Sequence, residues 1–255
     1  MQLSSPSRSG RADDVGNAGQ YRGMLIFIGV TIASLCALLL LPPIPQDQSY
    51  HQFADQRTLL GIPNFWNVVS NLPMIAVGAV GLRRFHRDPA RFTLFFGIFT
   101  TGFGSFYYHW NPTDASLFWD RLPMTLAFSA ILATAVEERV SETAGRILLW
   151  PLLAIGIFSL LLWYWTDDLR LYAWVQFFPA LGLLLLFLLF PSRHTGTFYW
   201  AIAAALYALA KLFEFYDHAI YSIGHVLSGH TLKHFAAAIA CFMILRYFQM
   251  QKPAR

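Results

Sequence analysis

Eight apolar runs, each close to the length a helix needs to cross a bilayer, divide this 255-residue chain from end to end. They lie at 24–41, 65–82, 92–110, 116–136, 147–165, 171–190, 198–216 and 230–248. A hydrocarbon core takes roughly 17 to 25 residues of helix. Lipid offers no hydrogen bonds to an open sheet edge, so runs of this kind must close their backbone bonds internally, as helices. The residue balance agrees, with 56% hydrophobic and 13% charged, where soluble domains carry about 25% charge. The expected fold is all-α, a polytopic membrane helix bundle with no separate soluble domain.

Residues 1–23 read as a polar N-terminal tail. The run that follows is longer than a signal-peptide core of about 7–15 residues. It leads into PPIPQ, not into a small-residue cleavage site, so 24–43 is expected to stay as a transmembrane helix. Charge sets the orientation. With the N-terminus in the cytoplasm, Arg8, Arg11, Arg22, Arg83, Arg84, Arg87, Arg91, Arg139, Arg146, Arg193, Arg246, Lys252 and Arg255 fall inside. Only Arg57 and Arg170 fall outside. This asymmetry is the positive-inside pattern, and it accounts for the net charge of +4 without a nucleic-acid partner. Cys36 and Cys241 lie mid-run and read as small buried residues, with no disulfide expected.

Ionisable residues inside such runs are costly and mark function by default. His230 and His234, in SGHTLKH, are spaced i, i+4 and share one helix face. His109 ends the third run, with Ser105 one turn earlier and Asp120 eleven residues later. The topology brings four of them, His109, Asp120, His230 and His234, to one depth on the non-cytoplasmic side. Three imidazoles form the set that holds a catalytic zinc with its fourth position open. Such a zinc lowers the pKa of bound water to about 7. Asp120 is then placed to move a proton, and Ser105 to hold an oxyanion or orient water. Gly102 and Gly104 beside them allow a neighbouring helix to come close.

Taken singly, each of these residues has a structural explanation. A lone histidine bonds a neighbouring helix, a lone serine bonds back to its own helix, and an acid at a helix start favours the dipole. A second cluster, Lys211, Glu214 and Asp217, follows i, i+3, i+6. It reads either as an ion-pair ladder inside the bundle or as outer support for the zinc ligands. His51, His86, His194 and His225 fall between runs and are expected to be solvated, and His218 is not expected to be a ligand.

At NFWNVVSNLPM (64–74), GSFYYH (104–109), DRLPM (120–124) and SGHTLKH (228–234), the chain resembles the alkaline ceramidase family of the CREST superfamily of membrane hydrolases. The likeness spans about residues 50 to 248 in order. It implies a seven-helix membrane core over 44–250, with 24–43 as one extra N-terminal helix. It also implies zinc on His109, His230 and His234, with Ser105 and Asp120 as catalytic partners and a ceramide-like lipid as substrate. Animal ceramidases carry an acidic calcium-binding segment before the first core helix. Here that region reads FADQRTLLGIPN, where Asp55 is the only acid and Asn64 replaces the usual glutamate, which argues against calcium. In this segment the chain is closer to bacterial relatives, which implies a bacterial inner membrane.

The expected activity is therefore zinc-dependent hydrolysis of the amide of an N-acyl lipid within the bilayer. The alternative is a receptor of the progestin and adipoQ type with a structural zinc, against which the retained Ser105 and Asp120 weigh. A haem protein or transporter fits less well, because paired histidines on one helix are unusual for haem and no internal repeat is visible.

Overall fold

Each of the eight runs is helical in a computed structural model that describes residues 8–192 and 194–251, with side chains from residue 19 onward. The elements are α1 (Arg8–Leu40), α2 (Phe65–Val69), α3 (Leu72–Arg84), α4 (Pro89–Trp110) and α5 (Asp114–Arg139). They continue with α6 (Glu142–Thr166), α7 (Arg170–Leu189), α8 (Phe198–Phe215), α9 (Asp217–Ser222) and α10 (Gly229–Met250). No strand occurs among the described residues. The chain is a polytopic helical membrane bundle. The expected cytoplasmic positions of Arg193, Lys252 and Arg255, and the first seven residues of the tail, lie outside the described residues.

Among the described residues, six stretches are long and apolar enough to cross a membrane: Gly19–Leu40, Phe65–Arg84, α6, α7, α8 and α10. Helices α4 and α5 are as long, at 22 and 26 residues, and carry Ser105, His109, Asp120 and Arg121. Polar caps set the starts. Asp88 accepts from the Arg91 N–H before α4, Thr113 and Ser116 form a capping box at α5, and Ser228 accepts from the Thr231 N–H at α10.

Two boundaries differ from the sequence expectation. Helix α1 begins at Arg8, well inside the stretch expected to be a polar tail. The 65–82 run is split into α2 and α3 around Ser70 and Asn71. Pro73 in the first turn of α3 has no N–H to continue the ladder, and the buried polar groups Asn67, Ser70 and Asn71 cluster at the break.

Helix α1 leans on α7 from outside the bundle. Phe27 meets Phe178 at 6.3 Å between ring centroids, and Trp174 Nε1 donates to Ser34 Oγ at 3.1 Å. Only 6% of its apolar window is buried, so Cys36 is exposed rather than buried as expected.

Helix α4 packs between α3 and α5. A Cβ at Gly102 would fall 2.3 Å from the Ile75 side chain on α3, and one at Gly104 would fall 2.2 Å from the Trp119 carbonyl on α5. That carbonyl is free because Pro123, four residues on, has no N–H to give it. The two glycines thus let three backbones close up where Ser105 and Asp120 stand, as small residues do in membrane bundles.

Helix α10 closes the bundle against α3 and α8. At the end remote from His109, Leu94, Phe95, Trp200, Ile244 and Phe248 form the main core. Glu138 is held there by Tyr247 Oη at 2.8 Å and Gln251 Nε2 at 2.6 Å, tying α5 to α10. Helices α7 and α8, though consecutive, do not pack along their lengths. The Phe187 and Trp200 rings meet at 6.0 Å, and Gln176 Nε2 reaches Tyr207 Oη at 3.4 Å across the gap.

Candidate metal centre

His109 sits in the last turn of α4, and His230 and His234 in the first two turns of α10. All three are buried, and one ligand nitrogen from each lies within 4.8 Å of the other two. His109 Nε2 and His230 Nε2 are 2.7 Å apart. Two segments far apart in sequence, one carrying His109 and the other His230 and His234, therefore converge, as the spacing and the topology predict.

The outer nitrogens are held by neighbours. His109 Nδ1 donates to the Ser105 carbonyl at 2.6 Å, with Ser105 Oγ at 3.2 Å. Ser70 Oγ donates to the Asn67 carbonyl at 3.2 Å, so it accepts from His234 Nδ1 at 2.7 Å. These bonds put the proton on Nδ1 of His109 and His234 and the lone pair on Nε2, the nitrogen that could bind a metal, as second partners do at metal sites. Two nitrogens about 2.0–2.1 Å from a tetrahedral zinc stand roughly 3.3 Å apart, inside the 2.7 to 4.8 Å range seen here. Three neutral nitrogens with no carboxylate among them suit a zinc with an open fourth position. Phe53 roofs the group, its ring centroid 4.8 Å from that of His109 and 4.7 Å from that of His230.

Ser105, Asp120 and His234 line one cavity of about 200 Å³. Its wall also carries Lys211 and Glu214, which pair at 2.7 Å as the ladder reading predicts. The second oxygen of Glu214 accepts from Lys233 Nζ at 2.6 Å and from Tyr50 Oη at 2.9 Å. Asp217 does not join this ladder. It turns to α10, where Oδ1 accepts from the His230 N–H at 2.7 Å and Oδ2 from the Ala54 N–H at 2.9 Å. It thus satisfies a free donor at a helix start, where a negative charge is also favoured, and anchors the segment that carries Phe53.

Several partners went unassigned in the sequence. Asn64 donates to the His109 carbonyl at 2.9 Å, and Asn67 Oδ1 accepts from Thr231 Oγ1 at 2.8 Å. With Ser70 they follow a helical spacing in an otherwise apolar run, a signal open to reading as buried polar support. His51 is not solvated as expected, since its ring bonds Tyr108 Oη at 2.9 Å and Asp114 at 3.1 Å. Asp55, the acid weighed for calcium, has both oxygens engaged by Arg57, at 2.8 and 2.7 Å. Ser70→Ala is expected to weaken metal affinity roughly 10- to 100-fold, read by titration against a competing chelator. Unchanged affinity would remove Ser70 from the site.

A family model described as Ceramidase matches residues 59–195, more than half of the chain. The chain belongs to this family. The match takes in Ser105, His109 and Asp120, whereas α8 to α10, with His230 and His234, lie beyond it. The placement of this ceramidase-family chain thus rests on its first core helices, and two of the three histidines, His230 and His234, join the group through the fold. No curated protein matches the chain.

Proposed function

We propose that this chain is a zinc-dependent intramembrane hydrolase that cleaves the amide of a ceramide-like N-acyl lipid to a fatty acid and an amine. The observation that carries the reading is the convergence of His109, His230 and His234 beside a cavity that Ser105 and Asp120 also line. Zinc bound by the three histidines supplies a Lewis acid for the amide carbonyl and an acidified water.

The remaining work falls to the chain's own side chains. Ser105 Oγ on the cavity wall offers a hydrogen bond to the oxyanion that develops as water adds to the carbonyl carbon. Asp120 takes the proton of the attacking water and returns it to the departing nitrogen as the C–N bond breaks. Phe53 and the buried histidine rings keep bulk water out, which strengthens these interactions. Lys211, Glu214 and Lys233 give the wall a polar strip for the lipid's head group.

Arg83, Arg84, Arg87 and Arg91 lie at or near the α3–α4 turn, at the end of α4 opposite His109. That supports cytoplasmic termini and a site on the non-cytoplasmic side of a bacterial inner membrane. The receptor alternative would not call for Ser105 and Asp120 in the same cavity as His234.

The test is metal analysis of the purified protein together with a panel of N-acyl lipids. Near one zinc per chain and release of fatty acid from ceramide are expected. Protein that binds no zinc at all would end the metalloenzyme reading. Full zinc with no lipid cleaved would favour the receptor.

A further inference from the structure

Arg121 stands next to Asp120 on the wall of the same cavity and is 7% exposed. Its Nη1 is enclosed and has no hydrogen-bond partner among the described residues. No carboxylate comes within ion-pair distance of the guanidinium among the described residues. The nearest candidates are otherwise occupied or too far away. Both oxygens of Glu214 are taken by Lys211, Lys233 and Tyr50. The cavity wall as a whole carries Arg121, Lys211 and Lys233 against Asp120 and Glu214, one more cation than carboxylates.

A buried charge without a partner is costly, so something must hold this one in place. Three aromatic rings do so in part. The guanidinium carbon lies 4.5 Å from the centroid of Trp163, 4.8 Å from that of Tyr172 and 5.7 Å from that of Tyr50. Cation–π contact of this kind contributes on the order of 0.5–2 kcal/mol. It stabilises the charge through the ring faces, yet it leaves the in-plane N–H donors unanswered. A guanidinium whose in-plane donors are unpaired suits a planar or tetrahedral oxyanion, which such a group binds through two parallel hydrogen bonds.

The depth of the group says which part of a lipid it meets. Trp163 is in the last turn of α6 and Tyr172 in the first turn of α7. Aromatic residues at helix ends mark the head-group level of a bilayer. An acyl chain brings no oxyanion to that level, whereas a head group does.

The geometry points to Arg121 as the receptor for an anionic head group, a carboxylate or phosphate carried on the amine side of the lipid. It would make Arg121 the specificity-determining residue of the site, favouring acidic N-acyl lipids over neutral ceramide. This rests on the hydrolase reading above, but the anion subsite is testable without turnover.

Two measurements on the full-length protein in a neutral maltoside detergent decide it. In the first, equilibrium binding of hexadecyl sulfate is compared with that of hexadecanol, neither of which has an amide to cleave. Wild type is expected to bind the sulfate at least tenfold more tightly, Arg121→Gln to lose that preference and Arg121→Lys to keep part of it. In the second, kcat/KM is compared for N-palmitoylglycine, a ceramide phosphorylated on its head group, and neutral ceramide. The ratio of the better anionic lipid to ceramide is expected to fall about tenfold in Arg121→Gln, mainly through KM. The anionic lipid that loses more identifies carboxylate or phosphate as the group bound.

Equal binding of sulfate and alcohol by wild type would overturn the proposal even if neither variant folds. So would an equal loss on all three lipids in Arg121→Gln, which would make Arg121 a structural cation. Tight, Arg121-dependent binding of hexadecyl sulfate with no amide cleaved would keep the subsite and remove the hydrolase.

Discussion

Replacing His109 by alanine is expected to empty the site of zinc and to lower fatty-acid release from ceramide by roughly 1,000-fold or more, about 4 kcal/mol of transition-state stabilisation. The remaining pair, His230 and His234, lies on one helix, and two nitrogens fall short of the three that a catalytic zinc keeps. Removing His109 also frees the Ser105 carbonyl, which now accepts from His109 Nδ1 at 2.6 Å. Metal content by mass spectrometry and hydrolysis of a fluorescent ceramide, measured on the same preparation, read the two losses together. His218→Ala is the matched control, because His218 is exposed and outside the histidine group, and it should keep both. A His109→Ala protein with full zinc and full activity would dismantle the centre.

Asp120→Asn separates chemistry from metal binding. The carboxylate is not part of the ligand group, so zinc should stay at the wild-type level. Loss of a general acid–base group costs typically 100- to 10,000-fold, and the loss should fall on kcat with KM nearly unchanged. Retained kcat would take Asp120 out of the reaction. Lost zinc would make it a support for the metal.

The helical segments were legible because a bilayer leaves the backbone so few choices. All eight runs are helical, with ends within a few residues of those read from apolar length, except that α1 starts earlier and 65–82 breaks into two helices at Ser70 and Asn71. The convergence of His109 with His230 and His234 was legible too, from spacing and a common depth. Less legible was anything that depends on how polar side chains turn. Asp217 shares a helical repeat with Lys211 and Glu214, yet it follows a break at Tyr216 and swings to cap α10. Asn64, Asn67 and Ser70 had no role assigned from the sequence, and the fold shows them bonding His109, Thr231 and His234. Arg121 stands next to Asp120 in the sequence, while its ring-lined setting comes from Trp163 on α6 and Tyr172 on α7.

The separation between α7 and α8 bears on kinetics. The cavity lies behind it, lined by Tyr172 and Gln176 from one helix and Tyr207 and Lys211 from the other. A lipid entering sideways through this slot would come from the membrane and not from the aqueous phase. Turnover should therefore track the mole fraction of substrate within the membrane and fall on surface dilution with inert lipid, while changing the aqueous volume leaves it unmoved.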